Sequence, residues 1–386
     1  MEKSKRIYWI DGLKGIACIM IFVHHFFVGF MPASYYGVGA MQHGNDGWEV
    51  LLSQNPASVL INGNFWVCVF CVLSGLVQGY KIFSMESLDR LPKDMVKRYF
   101  RLSLPVFFIS LIVYLMMKGE VFFNIQANQI VQSPWLGTYY LEKKTLKDVF
   151  YTSFISVWFV GDSTFSNAFW MLKEIFVGSY LTYILSMIGY KKRKNVLVIY
   201  AGLGIIFLIL QSYMLAFVAG VIIAYIMANT EKKIKYQPII GGLEILAGCF
   251  FGGYPTGVVP TNVYRLFSFQ SYIIWHILGA FLVILGIYHC KIVQKILSMK
   301  NCLVLGENSF AIYLVHIPIL FSFSSWAFIK IYERLNRYQF SVILVFTMSL
   351  LIVLIGAYLY HNVIEKACGR IEYKIIEEVY KSKMEK

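Results

Sequence analysis

Charge is scarce in this chain. Of its 386 residues, 15% are Asp, Glu, Lys or Arg, where soluble domains carry about 25%. Acidic residues are the rarer sign, 21 against 35 Lys and Arg. With 58% hydrophobic residues and a mean hydropathy of +0.62, the apolar side chains exceed what one water-soluble core can hide. That excludes an ordinary soluble enzyme, and the same excess excludes disorder. A Gly-rich phosphate loop and an internal repeat are also missing. So is a disulfide framework: the cysteines at 18, 68, 71, 249, 290, 302 and 368 are odd in number and scattered through apolar runs. Cys68-x-x-Cys71 has no second pair and sits among Val and Phe, so it reads as packing one helical turn apart rather than a metal or redox site. The net charge of +14 would suggest nucleic acid in a soluble protein. Here it reads as basic cytoplasmic loops, with the bilayer as partner and no nucleic acid.

What is present is a series of long apolar runs. A bilayer core about 30 Å thick needs about 20 apolar residues per helix. Ten stretches qualify: Trp9–Phe30, Ala57–Phe83, Phe100–Met117, Asn167–Tyr190, Val196–Leu210, Tyr213–Ala228, Ile239–Phe251, Tyr272–Cys290, Cys302–Phe321 and Phe340–His361. With the N-terminus inside, Lys and Arg gather around Lys5, Lys97, Lys192, Lys233, Lys295 and the tail. They outnumber those of the opposite side by about three to one. The expectation is an all-α polytopic protein of about ten spans with both termini cytoplasmic, a multi-pass protein of the cell membrane. Residues 1–361 form the membrane domain. Residues 362–386 repeat apolar side chains at Ile364, Cys368, Ile371, Ile375 and Val379 between charges, an amphipathic tail helix suited to the inner leaflet. The apolar patch Phe150–Val160 is too short to span and reads as re-entrant or interfacial.

Ionisable groups inside a span are costly, so each needs a partner or a task. In the first span, Lys14 and His25 are separated by about 16 Å of helical rise and lie within about 20° of one azimuth. Asp11, Lys14, Cys18, Ile21 and His25 therefore share a face, while His24 points about 100° away. A cation at the inner mouth with an imidazole deeper suits an anchored anionic ligand with proton chemistry above it. The alternative is a snorkelling lysine and a structural histidine. Before the third span, Arg98 and Arg101 at i, i+3 can converge on one anion such as a phosphate of coenzyme A, or simply mark the inner face. Ser74-Gly75, Glu174 after Trp170, and Tyr313 with His316 before Pro318 are further polar insertions, each also explicable as interhelical packing. His43, His276, His289 and His361 read as interfacial or structural.

In this order the segments resemble acyltransferase family 3, part of the transmembrane acyltransferase superfamily. The similarity is carried by Ile10-Asp11-Gly12-Leu13-Lys14-Gly15 followed by His25, by Phe70, Ser74 and Gly75, by Arg98, Arg101 and Pro105, and by Ser309, Tyr313, Leu314 and His316. Lys14 stands where relatives carry arginine, and Glu174 follows Trp170 by four positions where the family spacing is five. The resemblance implies an O-acyltransferase moving an acyl group, most often acetyl, from cytoplasmic acetyl-CoA to a hydroxyl of a surface polysaccharide or lipid-linked saccharide, without a metal. It implies that Arg98, Arg101 and Lys14 hold the CoA phosphates, that His25 is base or acyl carrier with Asp11 paired to Lys14, and that Ser74, Glu174, Tyr313 and His316 line the acceptor route. The rival reading is a transporter or flippase of a polar or acylated saccharide, with buried ions lining a path and no covalent step.

Overall fold

The computed structural model describes residues 6–44, 46–191, 195–229 and 237–384. Of the predicted basic clusters, Lys5, Lys192 and Lys233 fall outside the described residues. Among the described residues the chain is helical with no strand, because in hydrocarbon a helix satisfies every backbone group within its own segment. It is an all-α, polytopic membrane protein. Among the described residues, seven helices are long and apolar enough to cross a membrane, and three shorter apolar ones accompany them.

The helices that position the site are α1 (Tyr8–Phe30), α2 (Gly63–Phe83), α3 (Leu91–Lys118), α4 (Trp170–Gly189), α5 (Val196–Ile209), α6 (Met214–Asn229), α7 (Gln237–Gly252), α8 (Tyr272–His289), α9 (Ser309–Leu335), α10 (Tyr338–Tyr360) and α11 (Lys366–Met384). Three spans depart furthest from the sequence expectation, each for a local reason. The second span starts at Gly63 rather than Ala57, because Pro56–Leu60 forms a 3₁₀ turn whose Asn55 side chain accepts the Ala57 N–H at 2.8 Å. The third begins at Leu91, with Pro92 in its first turn, where a missing N–H is harmless. The basic stretch is thereby fused to the apolar one. In the ninth, Cys302 belongs to a separate short helix, Lys300–Glu307, and the long helix runs on to Leu335. Its passage beyond Pro318 is sustained by a π stretch, Leu320–Ser324. There Ser322 Oγ donates to the Pro318 carbonyl at 2.6 Å and Ser325 Oγ to that of Leu320 at 2.9 Å, which occupies carbonyls that the irregular turn displaces.

The chain divides into two compact units. The first comprises Met1–Met85, Asn128–Leu136 and Val177–Ser309; the second comprises Glu86–Ala127, Gly137–Phe176 and Phe310–Lys386. In the first, α2 packs on α6, α8 and α1, while α7 packs on α8. In the second, α11 lies along α3, where Lys97 Nζ sits 3.4 Å from the buried carboxylate of Glu372 and the Lys93 ammonium lies over the ring of Tyr380. The tail helix follows α10 through a π turn, His361–Glu365, and buries Cys368 and Ile376. The patch around Phe150 is a helix, Leu146–Tyr151, capped reciprocally by Thr145 and Asp148 and continued by a π stretch. It turns Phe150, Ile155 and Phe159 outward.

Candidate active site

The Asp11-to-Gly15 stretch carries two kinds of residue with two tasks. Its glycines are packing surfaces. A Cβ on Gly12 would stand 1.9 Å from the Leu297 carbonyl oxygen, and one on Gly306 would stand 2.2 Å from that of Asp11. Only bare backbone allows this approach of α1 to the end of the helix Lys291–Leu297 and to the helix Lys300–Glu307. The charged residues Asp11 and Lys14 form a mixed cluster with Arg6 and Glu307. Asp11 accepts from Arg6 Nε at 2.8 Å and lies 3.9 Å from Lys14 Nζ, while Arg6 also reaches Glu307 at 3.4 Å. The Asp11 hydrogen bond raises the Arg6 pKa above its ordinary value, so this guanidinium stays charged. Asp11 is thus engaged more closely by Arg6 than by Lys14, the partner expected from sequence.

His25 lies fourteen residues further along α1, a rise of about 21 Å from Asp11. Its Nδ1 stands 3.0 Å from the Ile21 carbonyl oxygen. A carbonyl only accepts, which assigns the proton of the neutral ring to Nδ1 and the lone pair to Nε2. The ring is stacked on the indole of Trp135, with centroids 5.4 Å apart and planes at 30°.

His24 is closer to this centre than helical azimuth suggests. Its ring centroid is 5.0 Å from that of His25 with the planes at 66°, and Tyr35 meets its edge at 5.2 Å. His24 Nδ1 donates to the Ile61 carbonyl at 2.8 Å, and Gly63 provides the space for its ring. Behind that turn, the fully buried His276 places Nδ1 2.9 Å from Asn64 Oδ1 and Nε2 2.9 Å from the Tyr254 carbonyl and 3.0 Å from Asn62 Nδ2. His276 holds the start of α2 in place. Sequence reasoning had left His24 and Tyr35 outside the site, and Trp135 carried no motif at all. The doublet His24-His25 was the one visible signal.

Ser74 belongs to the same unit as α1. Its hydroxyl donates to the Phe70 carbonyl at 2.8 Å, and Gly75 beside it packs on the Phe217 backbone of α6. Cys68 and Cys71 are buried, Cys68 with its thiol 3.8 Å from Asn64 Oδ1. The remaining residues expected in the site belong to the second unit. Arg98 and Arg101 lie one turn apart on α3, with Arg101 electrostatically coupled to Glu365. Tyr313 donates its hydroxyl proton to the Ala168 carbonyl, just ahead of α4, where Glu174 is half-buried. His316, 0% exposed, uses Nδ1 on the Ile312 carbonyl at 3.1 Å, with its ring 6.0 Å from that of Tyr313. His25 and His316 thus share one local device, an imidazole tautomer set by a carbonyl four residues back. Among the described residues, no group of three or more His, Cys, Asp or Glu side chains is arranged to hold a metal ion.

Residues 7–361 match the acyltransferase domain of acyltransferase family 3. The chain belongs to this family. Family 3 membership spans every residue discussed above except Arg6 and the tail. Among curated proteins, Acyltransferase R4 of Phoma sp. is 25% identical over 169 residues, 40% of this chain and 35% of its own length. Acyltransferase clz18 of Cochliobolus lunatus is 26% identical over 156 residues, 37% of this chain and 32% of its own length. The matched regions thus span about a third of the length of these relatives. No solved structure matches the chain.

Proposed function

We propose that this family 3 protein is an O-acyltransferase of the cell membrane that moves an acetyl group from cytoplasmic acetyl-CoA to a hydroxyl of a surface polysaccharide or lipid-linked saccharide. The observation that carries the reading is the placement of His25 Nδ1 on the Ile21 carbonyl oxygen. With Nδ1–H held by the Ile21 carbonyl, Nε2 offers its lone pair to an acceptor hydroxyl. The hydroxyl proton passes to Nε2 as the oxygen attacks the thioester carbonyl. The C–S bond breaks, and the departing thiolate takes the proton back from Nε2, so ester and free thiol are the products. General-base action of this kind contributes about 10²- to 10⁴-fold. The family resemblance assigns Lys14, Arg98 and Arg101 to the phosphates of coenzyme A, and Ser74, Glu174, Tyr313 and His316 to the acceptor.

The test is transfer of label from radiolabelled acetyl-CoA into glycan by membranes containing the wild-type chain or His25→Ala. Label incorporation by the wild type and its loss in the variant, with protein still in the membrane fraction, is the expected result. Saccharide transport by the wild type without any acetyl incorporation would overturn the reading in favour of a transporter.

A further inference from the structure

Trp135 touches the centre of the site from a segment with no motif. The segment is tied to α1 by Ser133, whose buried hydroxyl donates to the Val28 carbonyl at 2.8 Å and accepts the N–H groups of Trp135 and Leu136 at 3.2 and 3.3 Å. Ser133 itself is held by Asn128, which accepts its N–H at 2.8 Å. Gly29 lies under the indole, so that even a Cβ there would meet Cζ3 at 3.5 Å. These ties set the indole plane against the His25 ring, 5.4 Å between centroids and 30° from parallel.

The face of an indole is electronegative and attracts a cation above it. A neutral imidazole gains packing from that face, and a positively charged one gains electrostatic attraction as well. We propose that Trp135 is a positioning residue that fixes the His25 ring and stabilises the positive charge developing on it during acyl transfer. This inference rests on the reading of His25 as base. Its effect falls on the transition state more than on the bound substrates, so it belongs to kcat rather than KM.

The test is steady-state kinetics of Trp135→Phe, Trp135→Leu and a series with fluorinated tryptophans placed at position 135. Fluorination withdraws charge from the ring face while keeping its shape, so this series decides the matter even where the leucine variant fails to fold. The expected result is a graded fall in kcat with fluorination, a partial loss in the phenylalanine variant, and a loss of roughly 5- to 30-fold in the leucine variant, the range of a cation–π contact. KM for acetyl-CoA stays constant throughout. A flat fluorination series, or a rise in KM with kcat unchanged, overturns the role of Trp135. His25→Ala is measured alongside. If it is inactive while the series is flat, only the Trp135 inference falls; if it is fully active, the base reading falls with it.

Discussion

Gly63 opens α2 directly against the ring of His24: a methyl group on its Cα would stand 2.4 Å from the imidazole Cδ2 and 2.5 Å from Cγ. The ring has no slack to yield, since its Nδ1 is committed to the Ile61 carbonyl and its edge to Tyr35. Gly63→Ala is therefore expected to destabilise the protein by about 1–3 kcal/mol, the usual cost of overpacking. Thermal unfolding of purified wild type and variant in the same detergent checks this. An unchanged midpoint would mean that the helix start moves freely, and that His24 is not held as described.

Arg98 and Arg101 give a second prediction, independent of the chemistry at His25. If their guanidinium groups bind acyl-donor phosphates, Arg98→Ala should raise KM for acetyl-CoA about 10-fold or more, since a charge-assisted hydrogen bond contributes about 1.5–3 kcal/mol. Changes in kcat should be smaller. Arg101→Lys should recover part of the effect, because charge survives while the planar fork is lost. Saturation curves in acetyl-CoA decide it, and an unaltered KM in both Arg98→Ala and Arg101→Ala would remove these residues from the donor site.

Tyr313 joins α9 to the backbone at Ala168, ahead of α4. Removing the hydroxyl leaves that buried carbonyl without this donor, at a cost of about 1–3 kcal/mol. Tyr313→Phe should accordingly lower the unfolding temperature while leaving the protein inserted in membranes. A variant as stable as wild type would show that the carbonyl finds another donor.

His43 supplies a pH dependence outside the membrane spans. Burial, the larger effect, lowers its pKa below the ordinary 6.5 in spite of the hydrogen bond from its Nε2 to the Val131 carbonyl at 2.8 Å. As pH falls below 6.5, the unfolded chain takes up the proton before the folded one does. The contribution of this group to stability is therefore complete above that value, and declines as pH drops toward the folded-state pKa. His43→Asn should lack this decline, so the stability difference between wild type and variant should narrow between about pH 7.5 and about pH 5.5. Parallel unfolding curves at the two pH values would contradict it.

Much of the fold was legible in the chain because a bilayer makes secondary structure a matter of composition. Runs such as Val196–Ile209 and Tyr272–His289 begin and end within a residue or two of the expected limits, set by where apolar side chains give way to polar or charged ones. The misplaced boundaries fell where composition was mixed. The basic helix Leu91–Phe100 is continuous with the third span rather than ahead of it, and the apolar character of Cys302–Leu305 extended the expected ninth span across Asn308, where the helix is interrupted.

The candidate site was legible only along a single helix. The Lys14-to-His25 register follows from the fixed pitch of α1, which any reader of the sequence can compute. Trp135 is 110 residues away from His25, and its stacking depends on a serine hydroxyl gathering three backbone groups. No periodicity encodes that. That Arg6 joins Lys14 on Asp11, and sits closer to it, likewise turned on side-chain reach at a helix start.

The amino-acid order by itself determined that this is a helical membrane protein of acyltransferase family 3, because hydropathy and helical pitch are local properties that each segment carries alone. Tertiary structure alone decided that Trp135 meets the ring of His25, since that contact is made by segments that share no period and come together only when the backbone between them is folded.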